Sequence, residues 1–88
     1  MIEIKIKELL ETWFTNIQNW ETNKIYFNNN YELQLIRFEY GRSYGLDSLL
    51  EKEIQTICNK YSTYLVEPEL KIFEKVVQIK LRYFTRAK

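Results

Sequence analysis

Gly41 and Gly45 bracket Arg42, Ser43 and Tyr44, and the stretch runs into Asp47 and Ser48 at the head of an apolar-periodic segment. Backbone N–H groups ahead of a helix, joined by a guanidinium and a hydroxyl, are the parts of a site for phosphate or carboxylate. The competing reading is structural, a strand-to-helix turn with glycine at two positive-φ positions. No Walker or dinucleotide glycine pattern accompanies the pair. Glu39 and Asp47 flank the loop and could act as two carboxylates, but a solvated strand residue and a helix cap account for them.

Other chemistry is scarce. The chain has no histidine, the residue most used for general acid-base work. Cys58 is its one cysteine, so neither an internal disulfide nor a usual zinc set can be assembled. Cys58 also falls on an apolar helical stripe, which marks it as a buried structural thiol rather than a nucleophile. The expectation is a non-catalytic protein without metal or cofactor.

Two binding chemistries remain. Every charged residue from Lys75 to Lys88 is basic, namely Lys75, Lys80, Arg82, Arg86 and Lys88. Together with Arg37, Arg42, Ser43 and Tyr44, the residues Lys80, Arg82 and Arg86 would supply the cations and rings that hold single-stranded nucleic acid. The RNP1 pattern is absent. The preferred reading is protein association. The chain carries seven tyrosines, five phenylalanines and two tryptophans, more rings than two helices would cover on one face of a small sheet. Surplus Trp, Tyr and Arg are the residues of interface hot spots. Trp20, Phe38, Tyr40, Arg82 and Tyr83 are the candidate anchors, for a protein partner or a second copy of the chain.

The elements that must position these residues follow from periodicity. Ile2, Ile6, Leu9, Leu10, Trp13, Ile17 and Trp20 form one stripe at helical pitch, predicting a helix from Ile2 to Trp20 that ends by Thr22 to Lys24. Ile25 to Phe27 read as a short strand entering a turn at Asn28, Asn29 and Asn30. Tyr31 to Tyr40 read as a second strand. Its apolar residues occupy both parities, which calls for a bulge or for cover on both faces.

Leu46, Leu50, Ile54, Ile57, Cys58 and Tyr61 predict a second helix starting at Asp47 or Ser48, where Ser48 and Glu51 have capping-box spacing. Thr63 to Val66 suggest a third strand that Pro68 interrupts. Leu70 to Phe73 fit helix or strand. Val77, Ile79, Leu81 and Tyr83 alternate with Gln78, Lys80 and Arg82 as a fourth strand, placing Lys80 and Arg82 on its exposed face.

These pieces compose an α+β fold: two helix-strand-strand units forming a four-stranded antiparallel sheet with both helices on one face. Eighty-eight residues suit a single domain, residues 1–88, whose small core relies on bulky rings rather than disulfides. A net charge of +1 provides no global field for nucleic acid. No run approaches a bilayer span and no leader pattern is visible, so a cytoplasmic location without membrane contact is expected. Abundant Ile, Asn, Lys and Tyr suggest an AT-rich genome, which would suit a phage or plasmid accessory protein that inhibits a host factor.

Overall fold

A computed structural model describes residues 2–27, 31–45 and 47–87. The order of elements is α1 (Ile2–Trp13), β1 (Phe14–Thr15), β2 (Gln18–Phe27), β3 (Tyr31–Glu39), β4 (Arg42–Ser43), α2 (Asp47–Tyr61), β5 (Tyr64–Phe73) and β6 (Val76–Ala87). This is an α+β protein whose four long strands form one antiparallel sheet in the order β2-β3-β6-β5. That order is symmetric about the β3–β6 seam, so the two helix-strand-strand units occupy equivalent places. Neither helix, among the described residues, is long and apolar enough to cross a membrane.

Burial follows strand parity. Gln34, Ile36 and Phe38 of β3 and Val77, Ile79, Leu81 and Tyr83 of β6 are buried. They are cross-strand neighbours, with Ile36 opposite Ile79 and Phe38 opposite Val77. Ile6 and Leu10 of α1 and Leu50, Ile54 and Cys58 of α2, each set at i, i+4 spacing, join them in one cluster. Fully burying one such side chain contributes roughly 1.5 to 3 kcal/mol. Cys58 lies in this core as expected.

The helices run antiparallel. Trp13, at the end of α1, donates its indole N–H to Glu53 Oε2 in the middle of α2 at 2.8 Å. Lys5, near the start of α1, sits 5.3 Å from the centre of the Tyr61 ring at the end of α2. One polar thread also ties α1 to the sheet. Buried Gln34 donates from Nε2 to Glu3 Oε2 at 3.0 Å, and its Oε1 accepts a hydrogen bond from the Tyr83 hydroxyl at 3.0 Å.

Several boundaries differ from the sequence expectation. The first helix stops at Trp13 instead of reaching Trp20, because Asn16 and Asn19 both take left-handed backbone with φ of 53°, a conformation asparagine tolerates better than most residues. Thr22 to Lys24 consequently lie within β2, whose pairing with β3 shifts register between Gln18 and Glu21. Ile17 and Trp20 still pack on the core, Ile17 from the link between β1 and β2 and Trp20 from β2. The turn expected at Asn28 to Asn30 lies outside the described residues.

In β3 the pairing with β6 is continuous. Mixed parity there reflects Leu33 and Leu35 half-buried on the other side of the sheet, without a bulge. Pro68 does not interrupt its strand but sits inside β5, an edge strand where a missing N–H is tolerated. Leu70 to Phe73 are strand. Ser48 falls inside α2 rather than ahead of it. The short β1–β4 ribbon, with Phe14 opposite Ser43 and Thr15 opposite Arg42, was not foreseen.

Of the two glycines only Gly45 has positive φ, at 101°, and a Cβ there would overlap the Trp13 ring. At Gly41 a Cβ would meet Asn16 Nδ2 at 3.0 Å, the movable end of a side chain. Gly45→Ala should therefore lower unfolding stability by about 2 kcal/mol or more, and Gly41→Ala by less than half of that, as read from urea midpoints at constant slope.

Candidate functional site

In the loop 41–45, Gly41 N–H donates to the Thr15 carbonyl and Tyr44 N–H to the Trp13 carbonyl, both at 2.7 Å. These two donors close the β1–β4 ribbon. Arg42, Ser43 and Tyr44 are exposed on this ribbon, a separate sheet from the one that carries Lys80 and Arg82.

The aromatic anchors also resolve differently. Phe38 is fully buried and Tyr83 only 8 % exposed, because each shares the parity of the isoleucine that faces the core. Trp20 stacks on Phe38 with ring centres 5.4 Å apart, and Phe14 packs edge-on against the same ring. Such ring pairs add about 0.5 to 1.5 kcal/mol beyond area burial. Tyr40 is a clamp for the β5–β6 turn: its N–H donates to the Lys75 carbonyl at 3.1 Å and its hydroxyl to the Phe73 carbonyl at 2.9 Å. Lys75 takes φ of 66° in that turn, a left-handed conformation that the clamp helps to hold. Of the five proposed anchors, Arg82 alone is exposed on the sheet face.

What that face does display is a lattice of cross-strand rows. Ile25, Leu33, Arg82 and Glu67 form one row, Asn23, Leu35, Lys80 and Glu69 the next, and Glu21, Arg37, Gln78 and Lys71 the third. Opposite charges stand directly across from each other at Glu21 and Arg37, at Glu67 and Arg82, and at Glu69 and Lys80. Directly opposed pairs of this kind support a sheet by a few tenths of a kcal/mol to about 1 each. Arg37 reaches Glu39 at 3.5 Å and Glu21 at 4.0 Å, Lys71 reaches Glu69 at 3.8 Å, and Glu39 accepts a hydrogen bond from Asn19 at 3.1 Å. The pair Glu21 and Arg37 in the first hairpin has its counterpart in Glu67 and Arg82 in the second. Sequence inspection missed these carboxylates, since partners on neighbouring strands become visible only once the strands are aligned.

A shallow depression of about 290 Å³ runs over the middle of this face, between Glu21, Asn23 and Arg37 on one side and Glu69, Lys71 and Lys80 on the other, with Leu35 exposed to it. A second, of about 200 Å³, lies between Glu67, Glu69, Lys80 and Arg82. Of the residues expected to hold nucleic acid, Arg37, Lys80 and Arg82 come together here. Each has a carboxylate opposite. The side chain of Arg86 lies outside the described ones.

The chemistry available is therefore salt-bridging, hydrogen bonding and modest apolar contact. Glu39 is engaged by Arg37 and Asn19, and Asp47 stands in the first turn of α2.

Core placement separates the former anchors in a measurable way. Phe38→Ala should cost about 3 to 5 kcal/mol of stability and Tyr83→Phe about 1 kcal/mol through loss of the hydroxyl bond to Gln34, whereas Arg82→Ala should stay within about 0.5 kcal/mol of the parent; denaturant unfolding of the three variants checks the order. Comparison of the chain with protein-family models, with curated proteins and with solved structures finds no match in any of the three.

Proposed function

We propose that this chain is a non-catalytic interaction protein that binds a protein partner through the side of its sheet that the helices leave uncovered. In this reading both helices cover the face that carries Ile36, Phe38, Ile79 and Leu81, and Leu33, Leu35, Lys80 and Arg82 look outward. The observation that carries the proposal is the make-up of that outer side. Half-buried Leu35 lines a shallow depression bordered by charges of both signs, with half-buried Leu33 two positions away on the same strand face, the pattern of a small apolar centre inside a polar rim. Leu33 and Leu35 replace the buried rings as central contacts, with Arg82 kept from the original set.

Nucleic acid is the weaker reading, for an electrostatic reason. Phosphate binding gains from cations that release counterions, yet Arg37, Lys80 and Arg82 each face a glutamate across the strand. A duplex or single strand approaching this surface meets carboxylates as often as ammonium or guanidinium groups. A protein surface of mixed charge matches the lattice better.

The test uses the parent and a Leu33→Glu, Leu35→Glu variant as paired baits, followed by titration of each purified candidate against both. Binding to the parent that weakens at least tenfold in the variant supports the open face. Equal binding to both moves the site elsewhere. A fluorescent dT oligonucleotide titrated at low and high salt provides the competing arm, where submicromolar affinity that falls steeply with salt would favour nucleic acid.

A further inference from the structure

The two edges of the sheet are guarded unequally. On β5 the outer edge contains Pro68, lies alongside α2, and has the Val66 carbonyl already accepting a hydrogen bond from Gln55 Nε2 at 3.1 Å. On β2 the segment from Glu21 to Phe27 is in unbroken register with β3, contains no proline, and receives no side-chain hydrogen bond on its backbone among the described residues. Its outward amide and carbonyl groups are thus a free template for one more strand. Tyr26 on the same strand is 70 % exposed.

We infer that this edge pairs antiparallel with the β2 strand of a second copy of the chain, joining two four-stranded sheets into a continuous eight-stranded one. The occupant is argued from side-chain complementarity across a two-fold axis normal to the sheet, where each residue meets one of the same parity. Centring on Asn23 sets Asn23 against itself, Thr22 against Lys24 and Glu21 against Ile25. Centring on Ile25 sets Ile25 against itself and Lys24 against Tyr26, an ammonium beside a ring. Neither places like charges in direct opposition. Centring on Lys24 would oppose two ammonium groups, and centring on Thr22 would leave only Glu21 to Asn23 clear of the register shift between Gln18 and Glu21. The strand therefore has two self-complementary registers, and Lys24 excludes the one between them. This association leaves the open face untouched, so it holds or fails independently of the function proposed above.

Sedimentation equilibrium across a concentration series is the primary measurement. The parent chain should tend to twice its own mass with rising concentration. The combined Asn23→Lys, Ile25→Lys variant, which places ammonium groups opposite one another in each of these registers, should weaken dimerisation at least tenfold while keeping the parent's circular dichroism. A parent that stays monomeric to about millimolar concentration overturns the inference, as does a dimer indifferent to the two lysines. Disulfide trapping supplies a readout that does not depend on the lysine variant folding. Asn23→Cys or Ile25→Cys should give a covalent dimer under mild oxidation, and Glu69→Cys on the opposite edge strand should not. Efficient trapping at position 69 with none at 23 or 25 would place the contact on β5 and sink the proposal.

Discussion

The antiparallel seam between β3 and β6 holds the molecule together. Among the described residues it is the only strand pairing that joins the first helix-strand-strand unit to the second within the large sheet, and its register decides which side chains are buried. With Ile36 opposite Ile79, the row of Gln34, Ile36 and Phe38 lies beside Leu81, Ile79 and Val77, and its apolar members share one buried cluster with residues of both helices. A slip of one residue would turn Leu35, Arg37 and Glu39 toward the helices, because side chains alternate with a period of two. The thread from Glu3 through Gln34 to Tyr83 crosses this seam and is satisfied only in the observed register. A buried amide left without partners costs about 1 to 3 kcal/mol, so the thread adds specificity to a contact that is otherwise apolar.

The rings obey the same constraint. Phe14, Trp20, Phe38 and Tyr40 gather at one end of the core, where α1 gives way to the β1–β4 ribbon. That ribbon is held by Trp13 and Thr15 carbonyls receiving the N–H groups of Tyr44 and Gly41, and Gly45 turns tightly against the Trp13 indole. A segment whose residue types suggest ligand binding is thus used to bend the chain from β3 into α2. In a chain of 88 residues these packed rings matter to the core, since a small domain buries a limited share of its surface and gains most per residue from large side chains.

The outer side of the sheet has the opposite character. Its charges are interleaved so that each cation has a carboxylate opposite or beside it, which leaves little net field and gives recognition through pattern rather than attraction at a distance. Exposed ion pairs contribute little to stability. Their positions in the two hairpins, Glu21 with Arg37 and Glu67 with Arg82, give the surface a repeated motif on either side of the seam.

Local pattern made much of this legible. The i, i+4 spacing of Ile6 and Leu10, and of Leu50, Ile54 and Cys58, set the helical faces, and the alternation from Val77 to Tyr83 set the last strand, because burial on one side imposes those periods on any sequence. The end of α1 was illegible for the same reason: Ile17 and Trp20 continue a helical stripe, and a link and strand that present them to the same core satisfy the pattern equally well. Likewise the residue list around Gly41 gave no sign that its amides would be consumed by Thr15 and Trp13. The residues alone determined the class of fold, the helical faces and the scarcity of acid-base and metal chemistry. Tertiary pairing decided that Phe14, Phe38 and Tyr83 turn inward, that Pro68 lies on an edge, and that each outward cation of the candidate site meets a glutamate, since those facts depend on which strands lie side by side and no local period records that.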